Sequence, residues 1–146
     1  MAKGNEEYLS VHSFKVTIDG TNWSVYESVD GIGIDFEDIP FNSEKKQMLN
    51  RAGRYNARDL HMTRRFKKDK EIYDWVQQVK KSGTEKNRKS GSIILMDDED
   101  KEVLRFNFFE AWPKSWSGPQ LTKDASGSDI LREEVVLSIA DLEMSA

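Results

Sequence analysis

Apolar and polar side chains alternate from residue 12 to residue 19: Phe14, Val16 and Ile18 face one way, Lys15 and Thr17 the other. A period of two marks a half-buried strand. Asp19-Gly20 then predicts a hairpin turn, with Trp23, Ser24 and Val25 on the return strand. A third strand is expected over residues 31–37, with Ile32, Ile34 and Phe36 on one face. Gly31 and Gly33 fall on the other face, where a bulge or a close backbone neighbour calls for glycine.

The pattern is lost over residues 40–57. Phe41, Met48, Leu49 and Tyr55 are scattered among Asn, Ser, Lys, Arg and Gly. A stretch this far beyond ordinary connection lengths reads as a functional loop or an extended arm. Alternation resumes at residues 58–65, with Leu60 and Met62 sharing a face. Ile72, Trp75, Val76 and Val79 then fall at i, i+3, i+4 and i+7, which predicts a helix over residues 70–82. Asp69 is its expected N-cap, Lys80 and Lys81 suit its last turn, and Gly83 follows it.

Residues 83–91 read as a polar, basic loop, and 92–96 as a strand buried on both faces. An acidic turn at 97–100 leads to a long strand over 102–112, closed by Pro113. Its apolar residues divide into Leu104, Phe106 and Phe108 against Val103, Phe109 and Ala111. Residues 117–128 are rich in turn formers. A last strand runs over 130–144, too long to be straight, with Val135, Leu137 and Ile139 opposite Val136, Ala140 and Leu142. About seven strands and one helix, without βαβ alternation, predict a mainly β fold. The expected form is an antiparallel β-barrel, closed or nearly so, with one packed α-helix. The whole chain, 1–146, is expected to be a single domain with an extended loop at about 40–57.

Candidate chemistry is sparse. Gly31-Ile32-Gly33 lacks a third glycine and a following helix, so it makes no phosphate loop. Asp97-Asp98-Glu99-Asp100 lacks the ligand spacing of a calcium loop. His12 and His61 have no nucleophile or orienting acid placed by spacing, and Glu133 and Glu134, being adjacent, point to opposite faces of a strand. Arg64-Arg65-Phe66-Lys67-Lys68 could suit nucleic acid, but Asp69, Glu71 and Asp74 follow, which favours a solvated turn or a charged contact with another subunit. Trp112 and Trp116, with Pro113 between them, form a stiff corner or an interface anchor. No catalytic residue, cofactor site or metal site is expected.

Composition sharpens this. The chain has 146 residues, 33% of them charged, with 22 basic and 26 acidic residues and a net charge of −4. Leu, Ile, Val and Phe make up about 23%, just above the level at which high charge implies disorder. The chain is therefore expected to fold, with a thin apolar supply and much charged surface. The absence of cysteine excludes disulfides, thiolate zinc sites and thiol nucleophiles. The acidic balance argues against a nucleic-acid binder. No apolar run is long enough to span a membrane, and the first eleven residues, with Glu6 and Glu7, do not resemble a signal peptide.

Several stretches together resemble the inner-tube proteins of contractile injection systems and phage tails. They are Phe14-Lys15-Val16, Ser28-Val29-Asp30-Gly31-Ile32, Gly53-Arg54, the run from Leu60 to Arg65, and Glu71-Ile72-Tyr73-Asp74-Trp75-Val76. Phe106 to Trp112-Pro113 and the terminal strand with Glu133-Glu134 complete the pattern. The look is that of extracellular contractile injection system tubes and their phage-tail relatives, with the type VI secretion tube protein a more distant cousin. The resemblance spans roughly residues 14–144.

That resemblance implies a non-enzymatic structural subunit. It would assemble as hexameric rings stacked head-to-tail into a hollow tube, driven through a target envelope by sheath contraction. The implied partners are further copies of the chain, a surrounding sheath protein, and baseplate and spike proteins, with effector cargo or DNA as candidate lumen contents. No stable membrane anchor is expected. The subunit would be made in the cytoplasm and end in a phage tail or extracellular particle. Phe41, Met48, Leu49, Tyr55, Trp112 and Trp116 are then candidate subunit-interface residues, and Arg58, Arg64, Lys101 and Arg105 candidate lumen-facing ones. The alternative is a monomeric small-ligand-binding β-barrel.

Overall fold

A computed structural model describes residues 9–19, 26–123 and 130–145. The expected return strand at Trp23, Ser24 and Val25 lies outside them, as do residues 1–8. Among the described residues, nine strands and one helix follow in chain order. They are β1 (Ser13–Ile18), β2 (Ser28–Asp30), β3 (Ile34–Asn42), β4 (Met48–Ala57), β5 (Leu60–Arg65), α1 (Glu71–Ser82), β6 (Lys89–Met96), β7 (Glu102–Ser117), β8 (Arg132–Ser138) and β9 (Asp141–Ser145).

The fold is mainly β, antiparallel throughout, with one helix. Strands run β1-β6-β7-β8-β5-β2, and β9 also pairs with β7. The long β7 is the spine. Its first half lies between β6 and β9, and its second half pairs with β8. Among the described residues β1 and β2 do not pair, so the strand path has two ends.

β7 runs through Pro113 rather than stopping there. Pro113 has no N–H to give a ladder, and the register against β8 shifts between Pro113 and Ser115, which leaves Lys114 as an extra residue. A second irregularity sits at Glu110, whose φ is 57°. It reverses the alternation, so that Phe108 and Ala111 are both fully buried. The expected terminal strand is broken at residues 139–140, where the Ala140 amide donates to the Phe109 carbonyl at 2.9 Å. That break resets the phase, and Leu142 joins Val135, Leu137 and Ile139 in the core.

Ile93, Ile94 and Met96 of β6 are buried, as the unbroken apolar run predicts. The strand begins earlier than expected, at Lys89, and takes in Gly91. A Cβ on Gly91 would lie 2.2 Å from the Thr17 carbonyl oxygen and 2.6 Å from the Phe108 ring, so only glycine fits.

The helix buries Ile72 and Trp75 and rests Val76 and Val79 against the same core. Lys70, not Asp69, holds the N-cap position, in left-handed geometry. Asp69 still accepts the Glu71 amide, at 3.3 Å. At the other end Asn87 gives its side-chain N–H groups to the Gly83 carbonyl, the Gln78 carbonyl and Ser82 Oγ. The Asn87 carbonyl accepts Trp75 Nε1 at 2.7 Å.

The largest departure from expectation is at residues 40–57. They are not an unpatterned loop. β3 and β4 form a two-stranded hairpin of their own, separate from the main sheet. Ile34 and Phe36, expected to share one face of a strand over residues 31–37, are exposed on it. Its sequence does not alternate because neither face is buried by the other described residues, so burial imposes no period.

Candidate assembly surfaces

The β3–β4 hairpin is built by its own register. Asn42 pairs with Met48, Phe41 with Leu49 and Phe36 with Tyr55, with a bulge between Phe36 and Asp38. The tip closes through the Ser43 amide to the Gln47 carbonyl and the Lys46 amide to the Ser43 carbonyl, both 2.9 Å. At the root, the Arg58 guanidinium holds the Asp35 carboxylate with two bonds of 2.8 Å. That hydrogen bond, helped by the charge, lowers the Asp35 pKa and raises that of Arg58. Gly31, at φ 88°, leads into the hairpin; a Cβ there would meet the Asp59 carbonyl oxygen at 2.3 Å.

This hairpin carries an unusual load. Met48 is 67% exposed and Phe36 62%, and Ile34, Phe41, Leu49 and Tyr55 are also exposed. Phe36 and Tyr55 touch as a tilted ring pair at 6.2 Å, and the Arg51 guanidinium lies over Phe41 at 5.7 Å. A lone hairpin is marginal in water. This one leaves six large apolar side chains in solvent, an unusual concentration for an exposed element. Four of them, Phe41, Met48, Leu49 and Tyr55, are residues the sequence nominated.

The other two nominated aromatics sit differently. Trp112 is half-buried. Trp116 is half-buried against the core, gives its indole N–H to Glu133 Oε2 at 3.0 Å, and meets the Tyr73 ring at 5.5 Å. Beside it is an apolar hollow of about 230 Å³ lined by Phe66, Lys67, Lys70, Tyr73, Trp116 and Glu133.

Arg64 was expected to face a lumen, and here the structure corrects the sequence reading. Arg64 is only 2% exposed. Its Nε bonds Glu133 Oε1 at 2.5 Å, and its terminal nitrogen reaches Asp69 Oδ1 at 3.1 Å. The guanidinium also lies over the Tyr26 ring at 5.8 Å. Burial opposes its charge, but the Glu133 hydrogen bond and the surrounding acids outweigh this and raise its pKa. Burial, aided by the nearby carboxylates, pushes the Tyr26 phenol up to about 12. The cluster ties β5, β7, β8 and the start of α1 together. The signal was present in the sequence: Arg64 shares a face with Leu60 and Met62, and Glu133 with Val135 and Leu137.

The remaining basic candidates lie at the surface. Arg58 is paired with Asp35, Lys101 lies 3.6 Å from Glu99, and Arg105 grips Glu102 with two bonds. The Arg105 hydrogen bond lowers the Glu102 pKa. The acidic turn has a structural role, since Asp97 Oδ1 accepts the Glu99 and Lys101 amides at 2.9 Å. Among the described residues no cluster of His, Asp and Glu is arranged to hold a metal, and no helix is long and apolar enough to cross a membrane.

Comparison with known proteins gives a consistent result. The sequence model of the T4-like virus tail tube protein gp19 family matches residues 10–143. A search of curated proteins gives no match. Among solved structures, a chain of the PVC sheath–tube complex of an extracellular contractile injection system, in its extended state, aligns with a TM-score of 0.82 at 23% identity, covering 97% of this chain and 94% of that one. A chain of the anti-feeding prophage tube-terminating cap aligns at 0.81 and 18% identity, covering 100% and 96%. Hcp1 from Flavobacterium johnsoniae aligns at 0.59 and 13% identity, covering 91% and 94%.

Proposed function

The chain belongs to the T4-like virus tail tube protein family, and from that premise we propose that it builds the inner tube of a contractile injection particle. In this reading residues 1–146 act as one tube-forming unit. Six copies close a ring, and rings stack head-to-tail, because contacts between unlike faces do not close and so propagate as a filament. A sheath surrounds the tube, and a baseplate and spike organise its tip. The subunit carries no catalysis; its work is done at interfaces. It is made in the cytoplasm and ends in an assembled particle, with effector cargo or DNA as the candidate contents of the lumen. Arg58, Lys101 and Arg105 are the basic residues assigned to the lumen wall.

The observation that carries the reading is the exposed apolar hairpin. Phe41, Met48, Leu49 and Tyr55 have little reason to stay in solvent on a monomer, and docking on a neighbouring subunit removes them from it. Trp112, half-buried at the β7 bend, is a further contact of the same kind. A monomeric ligand carrier would need an enclosed apolar chamber. Here Leu60, Met62, Phe108 and Leu137 fill the space between the strands. Sedimentation and negative-stain microscopy of the purified chain test the proposal. Rings or tubes are the expected result; a sharp monomer overturns it, and a bound lipid on that monomer would favour the ligand-carrier alternative.

A further inference from the structure

The hairpin leaves one sequence feature unexplained, the basic run before the helix. Arg65, Lys67, Lys68 and Lys70 are all exposed, and among the described residues no ion pair involves Lys67, Lys68 or Lys70. Two of these lysines, Lys67 and Lys70, line the apolar hollow formed with Phe66, Tyr73, Trp116 and Glu133, whose carboxylate is held by Arg64. Lysine stems suit such a wall, because their methylenes cover apolar surface while the ammonium stays in water. The hollow lies beyond the C-terminal end of β7, where Ser117 opposes Glu134 and the Phe66 amide bonds the Leu131 carbonyl at 2.8 Å.

The N-terminal end of β7 carries the converse. There the 97–100 turn presents Asp98, Glu99 and Asp100 to solvent. The His12 amide bonds the Met96 carbonyl at 3.2 Å, which brings the segment with exposed Leu9 and Val11 up to the same turn. Two basic residues at this end already have acidic neighbours: Lys101 lies 3.6 Å from Glu99, and Arg105 is bonded to Glu102. One end of the spine strand therefore offers an apolar hollow with a cationic rim. The other end offers exposed aliphatic side chains beside an anionic turn.

We infer that these two ends are partners in different copies of the chain: the acidic turn, with Leu9 and Val11, docks on the Lys67–Lys70 rim and its aromatic hollow in the next copy. This rests on the head-to-tail tube reading and adds to it a second contact, independent of the hairpin. Opposite charge gives such a contact its polarity, since a reversed copy would set like charges together. It also makes assembly sensitive to salt, because exposed charges are screened over about 8–10 Å at physiological ionic strength.

Charge reversal with rescue tests this. Four chains are compared by pelleting and negative-stain microscopy: wild type, Lys67→Glu/Lys70→Glu, Asp98→Lys/Asp100→Lys, and the chain with all four changes. Each two-residue variant should lose pelleted tube roughly tenfold, and the four-residue chain should regain most of it, because its own ends again match. Thermal melting of all four separates failed assembly from failed folding. Lys67→Gln/Lys70→Gln, which adds no repulsive charge, should give a smaller loss of the same kind. Two-residue variants that pellet like wild type, or a four-residue chain no better than either, overturn this contact and leave the tube reading standing. Wild type that forms neither rings nor tubes overturns both.

Discussion

The Arg64 guanidinium and the Glu133 carboxylate meet inside the protein from directly opposed positions on β5 and β8. Both are buried, at 2% and 5% exposure. Each completes its bonding within the chain, Arg64 to Asp69 and Glu133 to Trp116. A buried pair of this kind is a weak source of net stability, because removing two ions from water costs about as much as their attraction returns. Breaking it from one side is a different matter, since the remaining charge keeps its desolvation cost and loses its partner.

Glu133→Leu should therefore destabilise the subunit by about 3–5 kcal/mol, and Arg64→Leu by a similar amount. The double variant Arg64→Leu/Glu133→Leu should cost less than the sum of the two, because no uncompensated ion is left. Urea unfolding of the four proteins measures this. Additive losses would show that the pair is not coupled as the geometry requires.

Tyr26 gives a prediction in alkaline solution. Its folded pKa, about 12, lies above the ordinary value of 10.0. The folded chain therefore holds this proton where the unfolded chain has lost it, and stability falls as pH rises from 10 toward 12. Below pH 10 the group is protonated in both states and contributes no slope. The full loss amounts to about 2–3 kcal/mol. Tyr26→Phe removes the titrating group, so its stability should decline less than wild type over that range, as followed by chemical unfolding. Parallel curves would rule the assignment out.

Gly91 offers a sharp packing test. An added Cβ meets backbone at 2.2 Å from the Thr17 oxygen as well as the Phe108 ring, so β1, β6 and β7 must part for it. Overpacking of this kind costs about 1–3 kcal/mol, and backbone contact puts Gly91→Ala at the upper end. A melting temperature unchanged from wild type would mean that the three strands yield freely there.

Much of this was legible in the chain, wherever burial sets a pattern on one face or, as in β6, on both. Period two placed β1, β5 and β8, and the i, i+3, i+4, i+7 stripe placed α1, because each buries one face. The same rule, applied to a charged residue, puts Arg64 and Glu133 inside; reading charge as exposure hid them. The phase changes at Glu110 and at residues 139–140 come from backbone irregularity, which apolar pattern does not encode. The hairpin was illegible for a deeper reason. None of the other described residues covers its two faces, so burial within the described chain sets no period there.

That gives the last prediction. Met48 and Leu49 stand at the start of β4, exposed, opposite Asn42 and Phe41. Their side chains support no core, so Met48→Asp/Leu49→Asp should leave stability within about 0.5 kcal/mol of wild type. In an assembled tube the same two carboxylates would be taken out of water against a neighbouring subunit without a partner, a cost of several kcal/mol per subunit contact. Thermal melting should therefore be unchanged, while rings and tubes vanish from sedimentation profiles and micrographs. Tubes of wild-type length from this variant would show that the hairpin's apolar residues do not hold subunits together, and the exposed side chains would need another explanation.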